Sequence, residues 1–392
     1  MASDDKPYRV YRGGRTKGKV PAVPRNRVEP SSGERIRAGG ARRRLRIPDR
    51  RSWRLIALVV LIGLLVLAIA WGIAGYVSFD RGVSAAQRRL PKPARAALSK
   101  SNGFLLSHST TILLLGLDSS SAAARSGDRH SDSIMIVRTD PSHHLLAYLS
   151  IPRDLLVSVP GVGTTKINAA YQYGGAALAI RTIGAFTGIP IDHVVIVDFD
   201  GFKDLINAEG GITIDVPERI LSNRFDCPYP TQARCEEWKG WRFHPGVQHM
   251  GGERALIYSR IRENQLNPAE NDLTREARQQ AVAQAAAAKL LSVTTLMGLP
   301  FNGKALFSPL TTDLSPAQLL ELGWVRFRSS SSHALYCRLG GDATDVGGQS
   351  VLLPSEDNRA TLAMWAGDSA PEPPNGDYAP GCAVGHPLLS GI

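Results

Sequence analysis

A chain of 392 residues, 43% of them hydrophobic, can bury a large core as one big domain or two ordinary ones. Its net charge of +11 invites a nucleic-acid or membrane-surface partner, yet 17 of the 46 basic residues and only 5 of the 35 acids lie in residues 1–54. The remaining 338 residues carry 29 bases against 30 acids, and this near-neutral body argues against a DNA-binding regulator.

Residues 1–54 are rich in Arg and Gly and poor in large apolar side chains, a composition that predicts a disordered basic tail. The uncharged run 55–77, "LIALVVLIGLLVLAIAWGIAGYV", reaches roughly 35 Å as a helix, enough for a bilayer core of about 30 Å. It is too long for a signal-peptide core, so a transmembrane helix is expected over 55–79. By the positive-inside rule the tail lies in the cytoplasm and residues 80–392 outside. Residues 80–109 read as a helical stalk or linker, 110–367 as the main folded domain, and 368–392 as an irregular Pro- and Gly-rich end.

Four cysteines fall in the outer part. Their spacing is not CxxC and no histidine stands at ligand distance, so disulfides Cys227–Cys235 and Cys337–Cys382 are favoured over zinc, on sequence proximity. From residue 110 onward, apolar runs at 111–117, 133–139, 145–151, 193–199 and 211–216 read as strands, with a helix over 169–188 and a short one beginning at Gly201. Helices are also expected at "GGERALIYSR", over 270–293, at "SPAQLLELGWVRF" and after Pro354, with a strand at "HALYCRL". Strands apolar on both faces and interleaved with helices imply an α/β domain built on a layered sheet.

Asp118 follows "LLLGL" at the expected end of a strand, and Asp132 precedes the next strand. Two carboxylates delivered to a sheet edge suit a hard divalent cation that keeps water and phosphate oxygens in its shell, although each alone reads more readily as a turn former or cap. Arg260, Arg262, Arg275 and Arg278 lie within twenty residues. Arg260 and Arg262 stand about 200° apart on a helix, so they meet one ligand only if the helix ends there. Asp272, Arg275 and Gln279 share a helical stripe, which suits phosphate recognition by forked guanidiniums or, more plainly, a solvated face with an Asp272–Arg275 ion pair. No Walker-type loop, GxSxG or HExxH occurs; "GVGTTK" has the wrong spacing.

The series "LLLGLD", "SDSIMIV", "LLAYLSIPRD", "KINAAYQYGG", "GIPIDHVVIVDFDGF", "GGITIDVP", "GERALIYSRIR" and "DLTREARQQ" resembles, in order, the LytR-CpsA-Psr family of cell-envelope enzymes. The resemblance implies a central mixed sheet between helices, an α/β/α arrangement with a long apolar lipid pocket. It also implies a phosphotransferase that moves a glycopolymer or its linkage unit from a polyprenyl-pyrophosphate carrier to a peptidoglycan sugar hydroxyl. By motif match Asp118 and Asp132 would bind Mg²⁺, with Arg153, Arg260, Arg262, Arg275 and Gln279 on the pyrophosphate and Asp272 orienting them. Lys166 and Asn168 match the pattern without an assigned role. Where the family usually has Arg two residues before the second carboxylate, this chain has His130 beside Arg129, leaving Arg129 to reach the phosphate or the site with one fewer cation. A non-catalytic envelope protein that binds polyprenyl lipid or glycan is the alternative. In "SIPRD", Asp154 is expected to point away from Arg153 if the strand persists.

Overall fold

The computed structural model describes residues 50–99, 104–118, 130–268, 272–290, 292–375 and 379–385. The expected disordered tail up to residue 49, and Arg129 with the loop that precedes it, lie outside these residues.

Helix α1 (Arg50–Arg89) leads into the short α2 (Lys92–Ala96). Strands β1 (Thr110–Asp118), β2 (His130–Asp140) and β3 (Leu145–Ser150) pair antiparallel in sequence. A separate hairpin of β4 (Leu156–Val159) and β5 (Gly163–Lys166) precedes α3 (Ala169–Thr187). Next come β6 (His193–Asp198), α4 (Phe199–Ala208), β7 (Ile212–Val216), β8 (Ile220–Leu221), α5 (Gln232–Glu237), β9 (Arg242–Phe243) and β10 (Gly246–Met250). Three helices follow, α6 (Gly252–Arg260), α7 (Asp272–Leu290) and α8 (Val293–Phe307). The last stretch holds β11 (Thr311–Thr312), α9 (Pro316–Arg328), β12 (Leu335–Arg338), β13 (Gly341–Val346), β14 (Gln349–Pro354), α10 (Asn358–Ala366) and β15 (Gly381–Val384).

The central sheet runs β11-β6-β1-β2-β3-β12-β15, with β1–β6 and β3–β12 parallel and its other pairs antiparallel. Side chains alternate between the two faces of a strand, and apolar side chains are called for on both faces here, so the runs are unbroken. Leu113, Leu115, Leu117, Val194 and Ile196 pack in one cluster with Ile180 and Ile183 of α3 and Trp365 of α10. A second cluster joins Ile206 of α4, Ile214 of β7, Tyr258 of α6 and Val282 of α7. Local chemistry fixes the helix ends: Ser315 and Gln318 form a capping box with Pro316 at the first turn of α9. Asp198 caps α4 through the Gly201 N–H at 2.7 Å.

Four expectations are refined. Residues 79–94 are no free stalk: Phe79, Val83, Ala86, Leu90 and Ala94 are at most 5% exposed, a helical stripe seated on the domain. The strand expected at 211–216 pairs with β10 outside the central sheet. Gly174 and Gly175 leave helical geometry, Gly175 at φ 59°, so α3 is broken where one helix was expected. The C-terminal end is not wholly irregular, because β15 closes the sheet against β12 with Cys382 opposite Cys337.

Candidate functional site

A cavity of about 1020 Å³ lies against the central sheet, and Ala169, Gln172 and Tyr173 at the start of α3 stand on its wall. The same alternation that sends Leu113 into the core turns Leu114, Val195 and Val197 toward this cavity. Its far walls come from Phe202 and Leu205 of α4, Leu256 of α6, and Val282, Ala283, Ala286, Ala287 and Leu290 of α7. The alanines read in sequence as helix formers act here by leaving room. One end of the cavity is thus hydrocarbon-lined; His130, Asp132, Arg153, Lys166, Asn168, Arg260, Arg262, Arg275 and Gln279 make the other end polar and cationic.

Asp132 reaches the cavity through a β-bulge. Gly116 stands opposite Ser133 and Leu117 opposite Ser131, so Asp132 is the extra residue of β2 without a Cα partner. A bulge shifts the side-chain phase by one, which lets both Asp132 and Ser133 line the cavity. Glycine suits position 116, since a Cβ there would lie 3.1 Å from that of Ser133, tighter than an ordinary contact. Asp118 ends β1 opposite His130, two residues from Asp132 in the register of the neighbouring strand.

After Ser150 the strand stops. Pro152 and Leu155 close a turn with Arg153 and Asp154 at its centre. The turn is held from two sides: Asn168 N–H donates to the Arg153 carbonyl at 3.3 Å, and Leu352 N–H to the Asp154 carbonyl at 2.9 Å. Arg153 Nη1 then meets Asp132 Oδ1 at 2.6 Å and its Nε meets Asp154 Oδ2 at 3.3 Å. Lys166 Nζ, at the end of β5, binds Asp154 Oδ1 at 2.8 Å. The expectation that Asp154 points elsewhere is therefore corrected: it joins Arg153 to Lys166 and lines the same cavity. Burial opposes ionisation of Asp154, but the Lys166 hydrogen bond and the charges of Arg153, Lys166 and Arg275 outweigh it and hold the carboxyl below the usual range.

Helix α6 ends at Arg260, and Ile261 is extended at φ −61° and ψ 125°. That break lets Arg260 and Arg262, which a continuous helix would separate, both line the cavity. Arg278 does not line it; buried to 3% exposure, it donates to the Ile261 carbonyl at 2.9 Å and so braces the break. Arg260 pairs with Asp226 and stacks 4.6 Å over Phe199. Arg275 and Gln279 line the cavity from α7, which Asp272 opens; the side chain of Asp272 and that of Asp118 lie outside the described residues. Among the described residues no group of three or more His, Cys, Asp or Glu gathers as a ready metal cage.

Sequence reasoning missed Asp154, Asn223, Phe225 and Asp226. The last three precede Cys227, whose bond to Cys235 closes the loop that carries α5. The second disulfide, Cys337–Cys382, ties two buried residues of neighbouring strands.

A solved structure described as "TagT bound to LI-WTA" is similar at 26% identity over 69% of this chain and 95% of that one, with a TM-score of 0.51. In sequence the chain is 33% identical to the "Polyisoprenyl-teichoic acid--peptidoglycan teichoic acid transferase TagV" of Bacillus subtilis (strain 168), over 62% of this chain and 60% of TagV's length. It is 30% identical to TagU of Bacillus anthracis (strain A0248), a transferase with the same full description, over 66% of this chain and 78% of that one. The model of the LytR_cpsA_psr family matches residues 77–363, and the chain belongs to that family.

Proposed function

We propose that the protein moves a glycopolymer or its linkage unit from a polyprenyl-pyrophosphate carrier to a sugar hydroxyl of peptidoglycan, forming a phosphodiester. The observation that carries this reading is one cavity with two chemistries: Arg153, Lys166, Arg260, Arg262 and Arg275 at one end and a hydrocarbon wall at the other. Such a space suits a donor with a pyrophosphate head and a long apolar tail. The descriptions of TagV and TagU, and that of TagT bound to LI-WTA, support the same chemistry.

The acceptor oxygen attacks the glycan-side phosphorus, the bond to the bridging oxygen breaks, and polyprenyl phosphate leaves. Negative charge grows on the bridging and equatorial oxygens, and fixed guanidiniums stabilise it because they need no reorganisation as it forms. Arg153 is held by Asp132 and Asp154, so its fork is set before the donor arrives. The acceptor's proton goes to Asp132 or Asp118, and Asp132 lines the cavity. Asp118, the last residue of β1, and Asp132, near the start of β2, would hold Mg²⁺, which takes oxygen donors and completes its shell with water and phosphate. Bound there, Mg²⁺ would supply charge neutralisation at the pyrophosphate. When no acceptor is present, water attacks instead and the donor is hydrolysed slowly.

Helix α1, whose Trp53–Arg89 part is long and apolar enough to cross a membrane, anchors the protein with its basic tail in the cytoplasm and the cavity outside. No nucleotide is required, since the donor is already activated.

The test uses the full chain in nanodiscs with a polyprenyl-pyrophosphate saccharide, peptidoglycan and Mg²⁺. Linked product that disappears with chelator is expected. Neither transfer nor donor hydrolysis across a broad range of saccharides would overturn the reading.

A further inference from the structure

Helix α8 carries Val293, Leu296, Met297 and Phe301 at 75%, 51%, 60% and 74% exposure. The spacing i, i+3, i+4, i+8 makes these one continuous stripe, open along its length, with the cation of Lys304 at its end. A stripe of this kind facing water is costly, and on a soluble monomer it marks a contact surface.

Its position on α1 identifies the occupant. Phe301 meets Trp71 edge-on with ring centroids 5.3 Å apart, and Phe307 meets Phe79 at 4.8 Å. A Cβ on Gly75 would lie 3.4 Å from Pro300, one on Gly82 2.8 Å from the Gly303 carbonyl, and one on Gly303 2.9 Å from Phe79 N. The two helices therefore approach closely, with glycines at the contact points. Trp71 and Gly75 belong to the uncharged run that ends at Val77. At about 1.5 Å per residue they lie roughly 9 Å and 3 Å inside an outer boundary drawn at Val77, and they carry Phe301 and Pro300 to that depth. Leu290 and Leu310, which flank α8 in sequence, line the apolar end of the cavity.

We propose that α8 is sunk in the outer leaflet beside α1, its stripe against acyl chains, so that the apolar end of the cavity opens at the bilayer and takes the donor's tail without passage through water. This rests on α1 being a membrane span. It assigns Lys304 a place at the headgroups, its ammonium reaching up from the stripe.

All four cysteines are disulfide-bonded, so one added cysteine labels uniquely. Full-length Met297→Cys and Phe301→Cys, each carrying an NBD fluorophore, are placed in nanodiscs of phosphatidylcholine and phosphatidylglycerol with or without acyl-brominated lipid. Leu64→Cys serves as the span reference and Val346→Cys, on the exposed β13–β14 hairpin, as the water reference. The expected result is bromolipid quenching at 297 and 301 at least half that at 64, little at 346, and the reverse order with aqueous iodide. Quenching at 297 and 301 equal to that at 346, while 64 is quenched, overturns the inference. Protection from iodide without bromolipid quenching also overturns it, since a protein partner or second copy then covers the stripe. Absence of quenching at 64 removes the span itself and the inference with it.

Discussion

At the polar end of the cavity Asp132, Arg153, Asp154 and Lys166 come from strand ends and one turn, and are tied to one another at 2.6–3.3 Å. At the apolar end Ala283, Ala286 and Ala287 come from one helix and contribute mainly by being small. The first is a matter of fixed geometry, where one misplaced atom removes a charge from its target. The second is a matter of volume, tolerant of which apolar side chain is present and sensitive to how much space it fills. The two ends should therefore fail in different ways.

The largest effect is expected at Arg153. Arg153→Ala removes the cation that both carboxylates hold in place, and transfer should fall by about 100-fold or more in kcat/KM. Arg153→Lys should recover little, because a point charge cannot span Asp132 and Asp154 as the fork does. Donor binding measured by the retention of labelled polyprenyl lipid should persist in both variants. If binding and turnover fall together, the polar end is not distinct from the apolar one and the comparison breaks. The next effect, about tenfold, is expected from Ala283→Trp, which fills the cavity with an indole. Its loss should appear with long-chain donors as a raised KM and should stay within about twofold for a donor with a short chain. An equal loss for both chain lengths would show that Ala283 acts on the head rather than the tail.

Much of this contrast was legible in sequence only where periodicity carried it. Runs such as "LLLGL" announce strands covered on both faces, and one of those faces proves to be the cavity wall. Arg275 and Gln279 were readable as a helical stripe for the same reason. The bulge at Asp132 was not, because a one-residue slip between strands leaves no mark in composition. Asp154 was misread by assuming that the strand continued, although Pro152 was the available signal that it did not. Strand β15 is four residues in a Pro- and Gly-rich stretch, and its only local clue was Cys382, placed by a partner 45 residues away. The lining alanines were visible as helix formers, but that they line a cavity depends on which face of α7 meets the sheet.

The smallest effect sharpens the comparison through pH. Burial works against the Asp154 carboxylate, yet the Lys166 hydrogen bond and the charges of Arg153, Lys166 and Arg275 leave its pKa below the ordinary value of 3.8. A carboxyl whose folded pKa is depressed contributes stability above its unfolded pKa, and that contribution is lost as pH falls through the folded value. The urea midpoint of the wild type should therefore exceed that of Asp154→Asn at pH 7, by an amount constant down to about pH 5 and shrinking below about pH 4. The corresponding difference for Ala283→Trp involves no titrating group and should stay level across the same range. A level difference for Asp154→Asn would mean that its carboxylate contributes by shape alone, and a sloping one for Ala283→Trp would mean that the charged cluster reaches further along α7 than its hydrogen bonds indicate.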